Sequence, residues 1–234
     1  MSVNSSVTDF SPLDEPIWQA LSTTHACLAV GDDHAKRYPT DIGPLSGMKD
    51  QSAASYRSLA QLMSADDVAV LFLRTLPSPP EGWQIVTAFP MEQMVCDTPP
   101  AAPDGFAIEP LSKADVQQMR ALAQATEPGP FRKRTIELGG YRGIRDAGRL
   151  VSMSGQRISL TGFTEVSAVC TYPEYRGRGY AGALVAAVAR SLFEHNITPF
   201  LGVRQDNAGA ISVYQRVGFR IRRTLYVVVL KRPQ

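Results

Sequence analysis

Cysteine is scarce. Cys27, Cys96 and Cys170 are the three in 234 residues, too few and too scattered for a disulfide framework, and an odd number leaves at least one thiol unpaired. We therefore expect a reducing, cytoplasmic setting. Histidine is equally sparse: His25, His34 and His195 stand in no recognisable nucleophile context, which sets aside a Ser-His-Asp hydrolase. His25 and Cys27, two apart on what reads as a strand, would share a face with His34 nearby, but no convincing fourth ligand accompanies them, so no metal is expected. No apolar run approaches the ~18 residues of a membrane span. The Ser-rich start, Met1 to Asp14, has neither the basic nor the apolar region of a signal peptide, so no membrane partner is expected. Strong net charge is also missing: 24 Lys and Arg against 22 Asp and Glu leave +2, which does not suggest a nucleic-acid partner.

That balance hides an asymmetry. Residues 1–100 carry 12 acidic and 5 basic side chains, whereas residues 101–234 carry 10 and 19. The split suggests a C-terminal half suited to a polyanion and an N-terminal half that balances it. With 44% hydrophobic residues the chain can build one large core or two small ones. Pro99, Pro100 and Pro103 fall where the charge changes sign. We expect a flexible tail at 1–14, a smaller α/β module at 15–98, a linker at 99–104 and the main domain at 105–234.

In the first half, Trp18, Leu21 and the run Ala26 to Val30 read as the first buried elements, and Gly31 to Gly47 reads as loop. Gln51 to Met63 has helical spacing, and Val68 to Leu73 and Trp83 to Phe89 read as strands. In the second half, Ser112 and Asp115 form a capping box ahead of an apolar face on Val116, Met119, Leu122 and Ala123. Tyr141 to Arg145 and Arg149 to Met153 read as a hairpin around Asp146-Ala147-Gly148, and Thr164 to Thr171 as a strand stopped by Pro173. Ala181 to His195 is a helix, Pro199 to Val203 a strand, Ala208 to Val217 a helix closed by Gly218, and Thr224 to Leu230 a last strand. The class is mixed α/β (α+β).

Arg176-Gly177-Arg178-Gly179-Tyr180-Ala181 joins that strand to that helix. Glycines allow a tight turn that converges backbone N–H groups, the helix start adds partial positive charge, and two arginines add full charges, so the loop suits a phosphate or pyrophosphate. No Gly-Lys-Ser/Thr follows, so it is not a Walker loop. Further on, Asn207, Ala210, Tyr214 and Gly218-Phe219 place a cap, a small residue and a phenol along one helix.

Taken together, Arg176, Gly179 and Ala181 after a strand, and Asn207, Ala210, Tyr214, Gly218 and Phe219 after those, resemble the GNAT superfamily of acyl-CoA-dependent N-acyltransferases. The resemblance covers about 104–234. Thr126 to Phe131 and Gly140 to Leu150 look like the branch that carries a degenerate acetyltransferase-like unit ahead of the competent one. Tyr172 and Gly202 depart from that branch, which often has His there, and the departure concerns the acceptor more than the cofactor. The resemblance implies a mostly antiparallel sheet with flanking helices and acetyl-CoA as co-substrate without a metal. It implies main-chain contacts to the pantetheine arm from Val169, Cys170 and Thr171, and a pyrophosphate wrapped by Arg176, Gly177, Arg178, Gly179, Tyr180 and Ala181. Asn207 and Ala210 would border the cofactor, Tyr214 would be the general acid, Glu165 a general base for the amine, and the Val169 N–H an oxyanion donor. The Arg220 to Arg223 cluster would contact a cofactor phosphate or solvate a strand end.

The leading expectation is transfer of acetyl to a primary amine of a small molecule or peptide by direct attack in a ternary complex, in a monomer or homodimer. Two other readings stand beside it: a catalytically silent acyl-CoA-binding module, and nucleic-acid binding through the basic half.

Overall fold

The computed structural model describes residues 8–127 and 129–233. Ser11–Asp14 forms a 3₁₀ turn ahead of helix α1 (Pro16–Ser22). A three-stranded antiparallel sheet follows, made of β1 (Val30–Gly31), β2 (Ala35–Arg37) and β3 (Ser46–Met48). Helix α2 (Ala53–Gln61) is capped by Ser52, whose hydroxyl accepts from the Ser55 N–H. Strands β4 (Ala69–Leu73) and β5 (Gln84–Val95) complete the first half. The second half contains β6 (Ile108–Leu111), α3 (Val116–Thr126), β7 (Tyr141–Asp146), β8 (Arg149–Leu160), β9 (Phe163–Thr171), α4 (Tyr180–Phe193), β10 (Thr198–Arg204), α5 (Ala208–Val217) and β11 (Arg220–Lys231).

Eight strands form the main sheet in the order β4-β11-β5-β10-β9-β8-β7-β6. Every neighbour is antiparallel except the β9–β10 pair. Apolar side chains alternate across the sheet: Leu150 packs with Met119 and Leu122 of α3, while its neighbour Val151 packs with Leu184 of α4. Helices α4 and α5 thus cover one face. On the other face α1 contributes Ile17, Ala20 and Leu21 to a core with Ile158, Phe163 and Phe200.

Several expectations change. Leu13 is fully buried and Asp14 binds Arg222 and Arg223, so the end of the expected tail is anchored; residues 1–7 lie outside the described residues. The run Ala26 to Val30 is a 3₁₀ turn and a short exposed strand, with Val30 49% exposed, because its apolar residues follow no strand period. His25 and Cys27 therefore do not share a strand face, and His25 Nδ1 is 2.8 Å from the Tyr38 hydroxyl. The stretch read as loop from Gly31 to Gly47 carries most of the small sheet, held partly by Asp32, whose carboxylate accepts from the His34 and Ala35 N–H groups and the Ser58 hydroxyl. The proline segment 99–104 has no regular structure, but it does not separate two sheets, since β4 and β5 lie in the same sheet as β6 to β11.

Candidate active site

The site forms where two neighbouring strands part. β9 and β10 pair in parallel only at Phe163–Thr198, Thr164–Pro199 and Glu165–Phe200. Beyond that point β10 continues along β5, while β9 continues along β8. A bulge in β9 marks the divergence: Met153 faces Cys170 and Gly155 faces Ser167, so Ala168 and Val169 together oppose Ser154, and Ala168 takes a left-handed φ of 51°. The Tyr172 N–H bonds the Val151 carbonyl, and by the alternation of an antiparallel ladder Thr171 turns its own N–H and C=O away from β8. The N–H faces the gap, and the C=O accepts from Arg176 Nε at 3.3 Å. This is an open strand edge of the kind that pairs with an extended ligand.

Two adjoining cavities of about 420 and 440 Å³ run from this gap along α4 and α5. The inner one is lined by Val169, Cys170 and Thr171 of β9 and by Asn207, Ala210 and Tyr214 of α5. The outer one is lined by Gly177, Gly179, Tyr180 and Ala181 at the start of α4. Arg176, Thr171 and Ala181 border both. A hollow of about 660 Å³ along α3 holds none of the expected site residues.

Local chemistry explains each placement. Gly179 is the N-cap of α4 at φ 83°, a conformation costly for any residue with a Cβ, and no side chain caps the helix, so its first N–H groups stay available to an anion. The Asn207 side chain accepts from the Ala210 N–H and fixes the start of α5. Small Ala210 and the phenol of Tyr214 then face the groove. Burial pushes the Tyr214 phenol up to about 12, with the neighbouring Cys170 thiol adding to the effect. Burial likewise pushes Cys170 up to about 12, so its thiol stays protonated and is a poor nucleophile.

Two expected residues lie elsewhere. Arg178 does not line the groove; its guanidinium stands 4.9 Å over the Tyr175 ring and donates to the Glu174 carbonyl. Glu165 is 1% exposed on the sheet face opposite α4 and α5, where both its oxygens accept from Arg157, at 2.7 and 2.8 Å. The Arg220 to Arg223 cluster serves the fold: Arg220 binds Asp97, Arg222 binds Asp14 and Gln93, and Arg223 binds Asp14.

Sequence reading also missed part of the wall. Val213 and Val217 line the groove one turn apart on the same side of α5 as Ala210, a signal present in the helical spacing. Thr126 and Glu127, at the end of α3, line it from the opposite face of the sheet, and no local pattern announces them.

This groove fits an extended ligand carrying a diphosphate. Strand edge, uncapped helix start and Arg176 follow one another along it, and Gly177 leaves open space where a Cβ would stand.

Comparison with known proteins identifies the family. Residues 141–228 match the family model described as FR47-like protein. The chain is 35% identical to a candidate GNAT-family acetyltransferase of Novosphingobium aromaticivorans, whose crystal structure superposes with a TM-score of 0.88 over 95% of this chain and 99% of that one. It is 33% identical over 151 residues to the N-alpha-acetyltransferase RimI of Mycobacterium tuberculosis, covering 58% of this chain and 90% of that protein. An uncharacterised protein of Mycobacterium leprae is 27% identical over 199 residues, 77% of this chain and 54% of that protein, so the chain spans about half the length of that relative. On motif, fold and relatives alike, the chain belongs to the GNAT family of N-acetyltransferases.

Proposed function

We propose that the chain transfers an acetyl group from acetyl-CoA to a primary amine of a small molecule or peptide, by direct attack while both are bound. The observation that carries this reading is the continuous groove that runs from the uncapped start of α4, past the open edge of β9, to the phenol of Tyr214. Acetyl-CoA supplies a thioester, whose acyl carbon accepts an amine and whose sulfur leaves as a thiol.

The chain's residues serve three needs of that reaction. The α4 N–H groups and Arg176 bind the diphosphate, and Thr171, with its N–H turned away from β8, orients the arm. In this reading the Val169 N–H, beside the bulge, donates to the oxyanion. Tyr214, protonated throughout the neutral range, donates its proton to the departing sulfur. Glu165 is held by Arg157 with both oxygens already engaged, which favours deprotonation of the amine by water at the strand split over direct abstraction by this carboxylate. An acidic first half favours arrival of a cationic amine.

Thiol release from acetyl-CoA against a panel of amines tests the proposal, with the Tyr214→Phe protein alongside. Turnover that falls sharply in the variant is expected. Saturable acetyl-CoA binding without turnover on any amine would replace the enzyme with a silent binding module.

A further inference from the structure

We propose that Arg157 recognises the acceptor, its outward edge receiving a carboxylate carried by the amine substrate; the inference rests on the acetyl transfer proposed above and names its substrate class. A second bulge makes the arrangement. In β8, Gln156 faces Val166 and Ser159 faces Thr164, so Arg157 and Ile158 together oppose Glu165. This turns Arg157 onto the same face as Glu165. Its Nε and Nη2 then donate to the two carboxylate oxygens at 2.7 and 2.8 Å.

That leaves Nη1. Among the described residues nothing accepts from it, and it lies 3.9 Å from where a Cβ on Gly129 would stand. The Arg157 side chain is 16% exposed, and its Nη1 points toward the loop that follows α3. Glu165 neutralises the guanidinium and fixes its plane, while the spare edge stays a strong donor.

A second donor stands beside it. Tyr141 is 3% exposed and its hydroxyl has no partner among the described residues. Its ring lies over Gly155 of β8, two residues before Arg157, and Arg157 and Glu165 are among the charges that act on the phenol. Space for the ring exists because residue 155 is glycine; a Cβ there would stand 2.2 Å from the ring. A buried donor without an acceptor is costly, and a spare N–H together with a spare O–H calls for an oxygen anion.

Position selects where that anion sits on the acceptor. Glu127 lines the groove opposite Tyr214, and Gly129, two residues on, faces Arg157. An amine held at the strand split thus projects its remaining groups toward the Arg157 face. A carboxylate a few bonds from the amine, as in an amino acid, meets both donors.

The test compares amino acids with their carboxamides, by acetylation and by calorimetric binding to the CoA-loaded protein. The wild-type chain is expected to favour each acid over its amide by roughly tenfold or more, as a charge-assisted hydrogen bond gives. An Arg157→Gln/Glu165→Gln double variant, which leaves no lone charge, is expected to bring acid and amide within about threefold while CoA affinity stays unchanged. Tyr141→Phe is expected to lose part of the preference. Equal binding of acids and amides by the wild-type chain overturns the inference, whatever the turnover, and so does a double variant that keeps the preference. Selective binding of acids without acetylation would uphold Arg157 as the recognition group and remove the proposed transfer instead.

Discussion

Asp14 accepts a hydrogen bond from Arg222 at 2.6 Å across 208 residues of sequence. Arg223 reaches the same carboxylate oxygen at 2.9 Å. The turn before α1 is thereby fastened to the last strand by a partly buried pair. Asp14→Ala should cost about 2 kcal/mol by stranding two arginines, and lower the melting temperature by roughly 4–8 °C. Thermal denaturation with and without CoA checks this: the midpoint should fall in both, while CoA affinity holds, because Asp14 lines no part of the groove.

Tyr214→Phe removes one oxygen from the groove and little packing. The turnover number should drop on the order of 10²-fold with KM for acetyl-CoA within about threefold, the pattern of an interaction made only in the transition state. Since the phenol titrates at about 12, the wild-type rate should show no alkaline fall attributable to it below about pH 11. A variant as fast as the wild type would remove Tyr214 from the mechanism.

Gly179→Ala places a Cβ at φ 83°, 3.3 Å from the Phe106 ring. Left-handed backbone costs about 1–2 kcal/mol for such a residue. Chemical denaturation should show that loss, and CoA affinity should fall with it because the same backbone presents the α4 N–H groups. Arg176→Ala should instead weaken CoA binding roughly tenfold without changing stability, with a difference that shrinks as salt rises.

Asp32 and Asp50 both titrate at about 2, the first because the Ser58 hydroxyl and the His34 and Ala35 N–H groups donate to it, the second because Ser52 and Ser55 do. A folded-state value below the unfolded one favours the ionised form in the fold. Their contribution is therefore complete above about pH 4 and lost as pH falls toward 2. Melting temperature measured across that window should decline, and Asp32→Asn should flatten the decline.

The second half of the chain was largely legible because its signals are local. Ser112 and Asp115 form the capping box that their spacing announces, and α5 covers the residues its cap and Gly218 predict. The groove followed, since Arg176 and Gly179 precede α4, Asn207 caps α5, and Tyr214 lies two turns along it. What stayed hidden depends on strand register. A bulge has no sequence signature, so nothing near Arg157 foretold that it would face Glu165. The first half was read less well for the same reason: Ala35 to Arg37 and Ser46 to Met48 are strands because they pair with each other, although neither is long enough to alternate visibly.

β5 is made early and used late. From Met91 to Val95 it lies between β10 and β11, so both edges of this stretch wait for partners more than 100 residues further along the chain. During synthesis, β10 is complete only once the ribosome has passed residue 204, and β11 only once it has passed residue 231. Such high contact order slows folding and leaves an apolar strand, with Met94 and Val95 at its end, uncovered in the nascent chain. It also removes the proline segment as a place to cut: residues 105–234 expressed alone would present one open edge of β10 and both edges of β11, where the full chain has one continuous sheet.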